Sequence, residues 1–309
     1  MDIQKYNICF YHHPCSDGMA SCWAVNKYCD SVEMIGTKPQ FYLDTGRVSL
    51  CKDANIICVD VIPSKESLQM LDGHCKTLTI LDHHKTNKEV IEELNWKNSQ
   101  LIKVFDMDRA GCQITWDYFF PLEERPWFID YIADRDLWKW ELPDSKDINT
   151  GMFEMKINSV DKFNELFLMK KNDICPEIKR IGEEKIKINT KIIEKCIRMS
   201  LYCHLHLPNG DKQLVILGNP PTDLRSEFGN QSLLGEPFYN YEKVKVSASW
   251  HLDFYSQEWW ISLRSLTPND DVSAIAKQFG GGGHPCASGF TIKRNDGNDL
   301  WDYFSLAQL

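Results

Sequence analysis

Four apolar runs in the first 150 residues each end in a cluster of acidic, polar or histidine side chains. The runs cover residues 6–11, 54–61, 76–81 and 101–105, and helix-like stretches lie between them. This alternation is typical of a parallel sheet covered by helices. In an open α/β sheet, ligands bind beyond the carboxyl ends of the strands. We therefore predict an α/β fold whose chemistry lies at that edge of the sheet.

The rest of the chain changes character twice. Residues 151–200 are rich in Lys, Glu and Ile, and the isoleucine spacing predicts a long helix over residues 178–199, with Pro176 in its first turn. Strand patterns return after residue 200, at 244–250 and 258–264, with a turn near 254–257. We predict a catalytic domain over residues 1–150, a helical connector over 151–200 and a smaller α/β domain over 201–309.

Composition excludes several classes of function. The net charge of −9 argues against binding of long duplex nucleic acid, which requires many lysines and arginines on phosphates. No apolar run approaches the roughly 20 residues of a membrane span, and residues 1–5 do not read as a signal peptide. The twelve cysteines include no Cys-x-x-Cys pair, which favours free thiols. We predict a cytoplasmic protein with no membrane partner, and any polyanionic substrate must be short.

The strand ends of the first domain combine carboxylates with imidazoles. Each group alone has an ordinary explanation, such as a helix cap for an aspartate or a polar loop position for a histidine. Together they suffice for two divalent cations, which at about 3.5–4 Å apart clamp the attacking and leaving oxygens of a phosphoryl group. Mixed ligands of this kind favour Mn²⁺, Co²⁺ or Zn²⁺ over Mg²⁺, and we favour manganese. The groups are His12-His13 with Asp17, then Asp60, then Asp82-His83-His84, and Asp134 with Asp136.

A glycine run in the second domain follows a helix-like segment at residues 272–278. Four glycines readily end a helix, but their backbone N–H groups also form anion-binding nests. Arg264, at the end of a predicted strand, would add a bidentate guanidinium. We interpret this region as an anion site, with the following residues: Arg264, Ser265, Gly281, Gly282, Gly283 and His284.

Two motifs carry a resemblance to a known family. Residues 80–84 (Ile-Leu-Asp-His-His) and 280–289 (Gly-Gly-Gly-Gly-His-Pro-Cys-Ala-Ser-Gly) resemble the namesake motif and the glycine–histidine signature of the DHH phosphoesterase superfamily. Residues 226–230 and 262–265 are similar to its weaker patterns. The resemblance spans nearly the whole chain and is to the subgroup with a C-terminal DHH-associated domain, which includes nanoRNase and pAp-phosphatase-like enzymes. It implies a parallel-sheet DHH domain joined by a helical connector to a smaller α/β DHH-associated domain.

The resemblance also implies roles for individual residues. Asp60 would bridge two ions, Asp82 would orient His83, and His84 would donate to a phosphate oxygen or leaving group. Arg264 and Ser265, with the glycine run and His284, would hold the distal part of the substrate across an interdomain cleft. The implied metal ligands are His12, Asp17, Asp60, His83 and Asp134.

One position departs from the family pattern. The first motif of the family carries two aspartates separated by one residue, and Cys15 stands where the first is expected. A thiolate is a soft partner for a hard ion, which puts occupancy of the first metal position in question. The register also leaves both His12 and His13 open as the ligand.

The predicted activity follows from the resemblance. Such enzymes hydrolyse phosphate esters with a metal-bound hydroxide, and we predict a hydrolase of short oligonucleotides or dinucleotides that uses two Mn²⁺ ions, with Mg²⁺ or Co²⁺ as alternatives. Pyrophosphate or polyphosphate is the alternative substrate. A third hypothesis is a nucleotide-binding protein in which Cys15 has disabled catalysis. The sequence leaves open whether the protein forms a homodimer.

Overall fold

The computed structural model describes residues 5–234, 244–294 and 299–307. The chain divides into two compact units, Met1–Ile186 and Lys187–Leu309. The prediction about a signal peptide concerns residues 1–5, of which 1–4 lie outside the described residues. No helix in the described ranges is both long and apolar enough to cross a membrane.

The first unit alternates strands and helices along the chain. Its strands are β1 (Ile8–His12), β2 (Glu33–Thr37), β3 (Asn55–Val59), β4 (Thr77–Asp82) and β5 (Gln100–Phe105). Its helices are α1 (Ser16–Tyr28), α2 (Thr45–Leu50), α3 (Lys65–Leu71), α4 (Lys85–Glu92), α5 (Gly111–Phe119), α6 (Trp127–Asp136), α7 (Ser145–Glu154), α8 (Val160–Leu168) and α9 (Lys171–Arg198), and the boundary between the units falls within α9.

The five strands form one parallel sheet in the order β2-β1-β3-β4-β5. The four predicted strands are confirmed as β1, β3, β4 and β5. The sequence did not reveal β2, because this edge strand is largely exposed and has the sequence Glu-Met-Ile-Gly-Thr, which lacks a buried apolar run. The parallel arrangement brings the carboxyl ends of β1, β3 and β4 to the same edge.

Successive residues of β3 enter two different cores, one on each face of the sheet. Ile56 packs with Leu68 of α3, whereas Ile57 packs with the tryptophans of α1 and α5. Those tryptophans, Trp23 and Trp116, are fully buried and stack with ring centroids 5.6 Å apart. Because both faces are covered, β3 carries a continuous apolar run over residues 56–59, and every residue of β4 is buried, including Thr77 and Thr79. The cores hold the carboxyl ends of the strands in fixed register.

The long helix α9 confirms the prediction of a helix here, but its start was predicted wrongly. The helix begins at Lys171, so Pro176 lies beyond the first turn. Ile174 and Cys175 pack against the core of the first unit, and this packing favours an extra turn ahead of the proline. In the second unit, Ile193 of the same helix is buried in a small apolar cluster.

The second unit is a seven-stranded mixed sheet with the C-terminal part of α9 and, in the described ranges, two further helices longer than one turn. Its strands are β6 (Leu201–His206), β7 (Lys212–Gly218), β8 (Val246–Asp253), β9 (Glu258–Ser265), β10 (Gly282–His284), β11 (Ala287–Lys293) and β12 (Phe304–Leu306), in the order β10-β11-β9-β8-β7-β6-β12. The helices are α10 (Arg225–Leu234) and α11 (Val272–Gln278). The predicted strand–turn–strand is confirmed, since β8 and β9 pair antiparallel from Val246–Ser265 to Asp253–Glu258.

Candidate metal centre

Asp60 follows β3 directly and lies between two histidines. Its backbone is left-handed, with φ of 58°, and its N–H donates to the Leu81 carbonyl oxygen of β4 at 3.0 Å. Oδ2 lies 3.2 Å from His12 Nδ1, and Oδ1 lies 3.2 Å from His83 Nε2. Such a backbone conformation is uncommon outside glycine, and aspartate is among the residues that adopt it more readily. One buried carboxylate thus presents a separate oxygen to each of two donor clusters.

The first of these, the oxygen-rich cluster, consists of three aspartates around one imidazole. From His83 Nε2 the distances are 3.2 Å to Asp60 Oδ1, 3.5 Å to Asp17 Oδ2 and 3.5 Å to Asp136 Oδ2. Neighbouring ligands of an ion with bonds of about 2.1 Å are separated by about 3.0–3.4 Å. The donor atoms therefore have nearly the spacing of a coordination shell around one divalent cation.

The sulfur-containing cluster consists of His12, Cys15 and Asp60. One ligand atom from each lies within 4.8 Å of the others. Cys15 is the N-cap residue of α1, but its side chain makes no capping hydrogen bond. The neighbouring His13 is exposed instead, with its ring against Tyr11 at a centroid distance of 5.9 Å. Of the two histidines that the sequence left open, the structure brings His12 to the site.

Asp17 is held in place by the first N–H groups of α5. The Gly111 N–H donates to Asp17 Oδ2 at 2.8 Å, and the Cys112 N–H donates to Oδ1 at 2.7 Å. A Cβ atom on Gly111 would lie 2.9 Å from both Asp17 Oδ2 and Asp60 Cβ. Gly111 therefore allows α5 to approach both aspartates. Sequence reasoning missed this residue; the signal was a glycine after the polar loop that ends β5.

The pKa values indicate a site with an excess of buried negative charge. Burial, followed by the charges of Asp60 and Asp136, raises the pKa of Asp17 to about 7. Burial and Asp60 also raise the pKa of Asp136. For Asp60 itself, burial acts in the same direction, but His12 and His83 outweigh it and hold its pKa well below the usual range. The buried carboxylates of Asp17 and Asp60 and the partly exposed carboxylate of Asp136 face one imidazole, and this arrangement fits a divalent cation, which would neutralise them.

Asp82 orients the second histidine of the motif rather than the first. Its Oδ1 accepts the backbone N–H groups of His83 and His84 at 2.6 and 3.1 Å and lies 2.7 Å from His84 Nδ1. Asn87 Nδ2 donates to Asp82 Oδ2 at 2.6 Å. The expectation that Asp82 orients the ring of His83 is thus corrected, because the tight turn after β4 brings the His84 ring back onto the carboxylate. Burial lowers the pKa of His84, but Asp82 outweighs it and the net shift is upward.

Asp134, predicted as a metal ligand, lies in neither donor cluster of the described residues. Its carboxylate accepts the N–H groups of Glu141 and Leu142, at 2.9 and 3.3 Å, and so fastens the loop after α6. Residues two apart on a helix point about 200° apart around its axis, so only one of the two aspartates reaches the cluster. That residue is Asp136, which ends α6. The corrected position is one the sequence motif Asp134-Arg135-Asp136 already contained.

In the second unit, the predicted anion-binding residues surround β9 and β11. Arg264 donates to Ser226 Oγ and to the Leu263 carbonyl oxygen, both at 2.8 Å, and burial followed by the charge of Arg225 lowers its pKa to about 10. The Gly280 and Gly281 N–H groups donate to carbonyl oxygens of α11, so this part of the run ends the helix.

The rest of the run forms β10, an edge strand paired with β11. The Ser265 hydroxyl lies 3.2 Å from the Thr267 carbonyl oxygen, to which it donates. The anion-binding role of Arg264, Ser265, Gly281, Gly282, Gly283 and His284 stays a prediction.

Comparisons with known proteins give two relatives in sequence. Uncharacterized protein R106 of Acanthamoeba polyphaga mimivirus is 30% identical over 302 residues, which are 93% of this chain and 68% of that protein. Oligoribonuclease NrnB of Bacillus subtilis (strain 168) is 23% identical over 293 residues, which are 85% of this chain and 65% of that protein. The chain thus spans about two thirds of the length of the curated relatives it matches. No family model matches.

Among solved structures, the pGpG-specific phosphodiesterase PggH from Vibrio cholerae is similar, with 14% identity and a TM-score of 0.44, over 94% of this chain and 95% of that chain. The Asp/His clusters at the carboxyl edge of the parallel sheet could hold divalent cations, and together with the named sequence relative they support a hydrolase that acts on phosphoric ester bonds. Within that class, the chain belongs to the DHH phosphoesterase superfamily, and Asp82-His83-His84 is its namesake motif.

Proposed function

We propose that the protein hydrolyses the phosphodiester bond of short oligonucleotides or dinucleotides at two divalent cations. The observation that carries the proposal is the position of Asp60, whose two oxygens each lie 3.2 Å from the imidazole of a different cluster. When bound, the two ions would polarise the phosphoryl group and stabilise the attacking and leaving oxygens. The site therefore suits a reaction in which charge develops on phosphate oxygens.

The oxygen-rich cluster would hold one ion through Asp17, Asp60, His83 and Asp136. In this proposal Asp136 takes the place of Asp134 as a ligand. Three carboxylates and one imidazole suit Mn²⁺, and Mg²⁺ or Co²⁺ are alternatives for the same set. The second ion would lie at the sulfur-containing cluster, with Asp60 shared between the two.

His84 would act on the substrate as a proton donor. Its Nδ1–H donates to Asp82, which fixes the ring orientation and leaves Nε2 as the other protonated atom of the imidazolium. The upward shift of its pKa favours this charged form near neutral pH. We propose that Nε2 donates to a phosphate oxygen or to the leaving oxygen, and that Asp82 holds the ring in place for that transfer.

The choice of a short nucleic acid has two supports. The net charge of −9 disfavours a long polyanion, and one relative is named an oligoribonuclease. In the second unit, Arg264, Ser265, Gly281, Gly282, Gly283 and His284 would bind phosphate groups of the substrate. We place the activity in the cytoplasm, since the twelve cysteines are free thiols.

The proposal is tested with purified protein, Mn²⁺ and a matched substrate panel. The panel contains pApA, pGpG, a five-residue RNA, 3′-phosphoadenosine phosphate, cyclic dinucleotides, pyrophosphate and polyphosphate, with products separated by chromatography. We expect mononucleotides from the short linear chains and no turnover by the Asp60→Asn variant. Orthophosphate from the inorganic substrates alone would replace the proposal by a pyrophosphatase. Nucleotide binding without turnover of any substrate would replace it by a binding protein.

A further inference from the structure

We propose that Cys15 is a metal ligand through its Sγ atom, and that the two ion positions therefore prefer different cations. The sulfur-containing cluster would take a borderline-soft cation such as Zn²⁺ or Co²⁺, whereas the oxygen-rich cluster takes Mn²⁺. The inference rests on the proposed two-cation centre and names the cation chemistry of one half of it.

The geometry brings three different donor types to one point. Sγ of Cys15, a ring nitrogen of His12 and a carboxylate oxygen of Asp60 lie within 4.8 Å of one another. Around an ion with bonds of about 2.0–2.3 Å, tetrahedral neighbours are separated by about 3.3–3.8 Å. The three donors therefore need to draw together by at most about 1.5 Å. A nitrogen, sulfur and oxygen donor set of this kind is one that Zn²⁺ accepts.

The Cys15 thiol differs from the buried cysteines around it. Cys9, Cys22 and Cys58 belong to the apolar cores on the two faces of the sheet. Cys112 is also buried, and its thiol donates to the Ile129 carbonyl oxygen. Cys15 is only half-buried and stands at the N-terminus of the 13-residue α1, where its sulfur lies beside a ring nitrogen of His12 and a carboxylate oxygen of Asp60. Coordination replaces the S–H bond by a sulfur–metal bond and releases the proton to solvent, with no change in oxidation state.

The two clusters differ in their ligand atoms, and this difference sets the cation that each position prefers. Thiolate ligands select borderline and soft cations, whereas carboxylate oxygens suit Mn²⁺ and Mg²⁺. Cys15 supplies sulfur to only one cluster, while Asp17 and Asp136 supply oxygen only to the other. The shared Asp60 does not distinguish them. Replacement of Cys15 by a carboxylate would therefore make the two clusters alike.

The test is a titration of the purified chain with Co²⁺, followed by near-ultraviolet absorption. We expect a thiolate-to-cobalt charge-transfer band in the native protein that saturates at about one ion per chain, because one cluster contains sulfur. Cys15→Ser and Cys15→Asp should both lose the band. Cys175→Ser is the matched control, since Cys175 is also half-buried in the first unit but lies outside both clusters, and should keep it. In competition experiments, Cys15→Asp should shift the preference from Zn²⁺ toward Mn²⁺ by about tenfold or more.

The outcomes separate this inference from the proposed function. Binding of two ions and hydrolysis of short chains without a charge-transfer band would overturn the role of Cys15 and leave the proposed function standing. A band that persists in both folded Cys15 variants would also overturn it. Failure of the native protein to bind any divalent cation would overturn the two-cation centre itself. Circular dichroism of each variant establishes that it is folded before the titration.

Discussion

The approach of α5 to the aspartates makes Gly111→Ala the most informative single substitution. The added methyl carbon would lie 2.9 Å from both Asp17 Oδ2 and Asp60 Cβ, well inside ordinary contact distance. Neither neighbour has room to yield, since both carboxylates are buried and each has partners of its own. The helix must therefore move away. Its movement lengthens the two hydrogen bonds, of 2.8 and 2.7 Å, that α5 donates to Asp17.

Two contributions set the expected loss of stability in Gly111→Ala. Overpacking of a buried position costs about 1–3 kcal/mol, and weakening of hydrogen bonds to a charged group costs about 1.5–3 kcal/mol. We expect the free energy of unfolding of the metal-free protein to fall by about 3 kcal/mol. Because Asp17 would lose its orientation, we also expect Mn²⁺ affinity at the oxygen-rich cluster to fall by about 10- to 100-fold.

Urea unfolding and calorimetric titration with Mn²⁺ measure the two effects. Gly46→Ala is the control, because Gly46 lies on the exposed helix α2 and a Cβ there meets only Asp44 Oδ1 at 3.3 Å. Alanine in place of a helical glycine should be neutral or stabilise by up to about 1 kcal/mol. Native Mn²⁺ affinity and native stability in Gly111→Ala would refute the role given to this helix.

Two further predictions concern other aspartates of the first unit. Asp136→Asn should lose the Mn²⁺ ion of the oxygen-rich cluster, whereas Asp134→Asn should keep it and lose about 1–2 kcal/mol of stability, as measured by metal analysis and urea unfolding; equal metal loss in both variants would contradict the placement. Burial opposes ionisation of Asp117, but Arg125 and Arg109, whose nitrogens lie 2.6 Å from its Oδ2, lower its pKa. Its stabilisation is therefore complete above about pH 4 and is lost as the pH falls through the lowered value, so the deficit of Asp117→Asn should be about 1 kcal/mol at pH 7 and smaller at about pH 3. A deficit of the same size at both pH values, in urea unfolding, would contradict it.

The sequence predicted the centre of the first sheet well because β3 and β4 are buried on both faces. Continuous apolar runs such as residues 56–59 mark such strands, and the polar residues that follow them mark the edge where ligands bind. His12, Asp17, Asp60 and His83 were predicted as ligands on this basis and on the resemblance, and the structure brings them together. Position along the chain was sufficient for these residues because each directly follows a strand or begins the next helix.

The remaining features depend on contacts that a linear pattern does not contain. The choice of Asp136 over Asp134 depends on the rotation of the last turn of α6, and helix ends are poorly defined in sequence. The role of Gly111 depends on a helix packing against a residue 94 positions earlier. The partner of Asp82 depends on how the chain turns after β4. In each case, the three-dimensional course of the chain decides which residue takes the role. The sequence alone showed only which motifs contain side chains suited to metal binding or catalysis.

The position of Asp60 has a consequence for how the two ions bind. Because one carboxylate supplies an oxygen to each cluster, the occupancy of either position changes the orientation and charge available to the other. Binding at the two positions is then linked by a coupling free energy, and by thermodynamic necessity the effect is reciprocal. In the proposed two-cation centre, a change of cation or of ligand in the sulfur-containing cluster would alter the affinity of the oxygen-rich cluster, so the two affinities would change together.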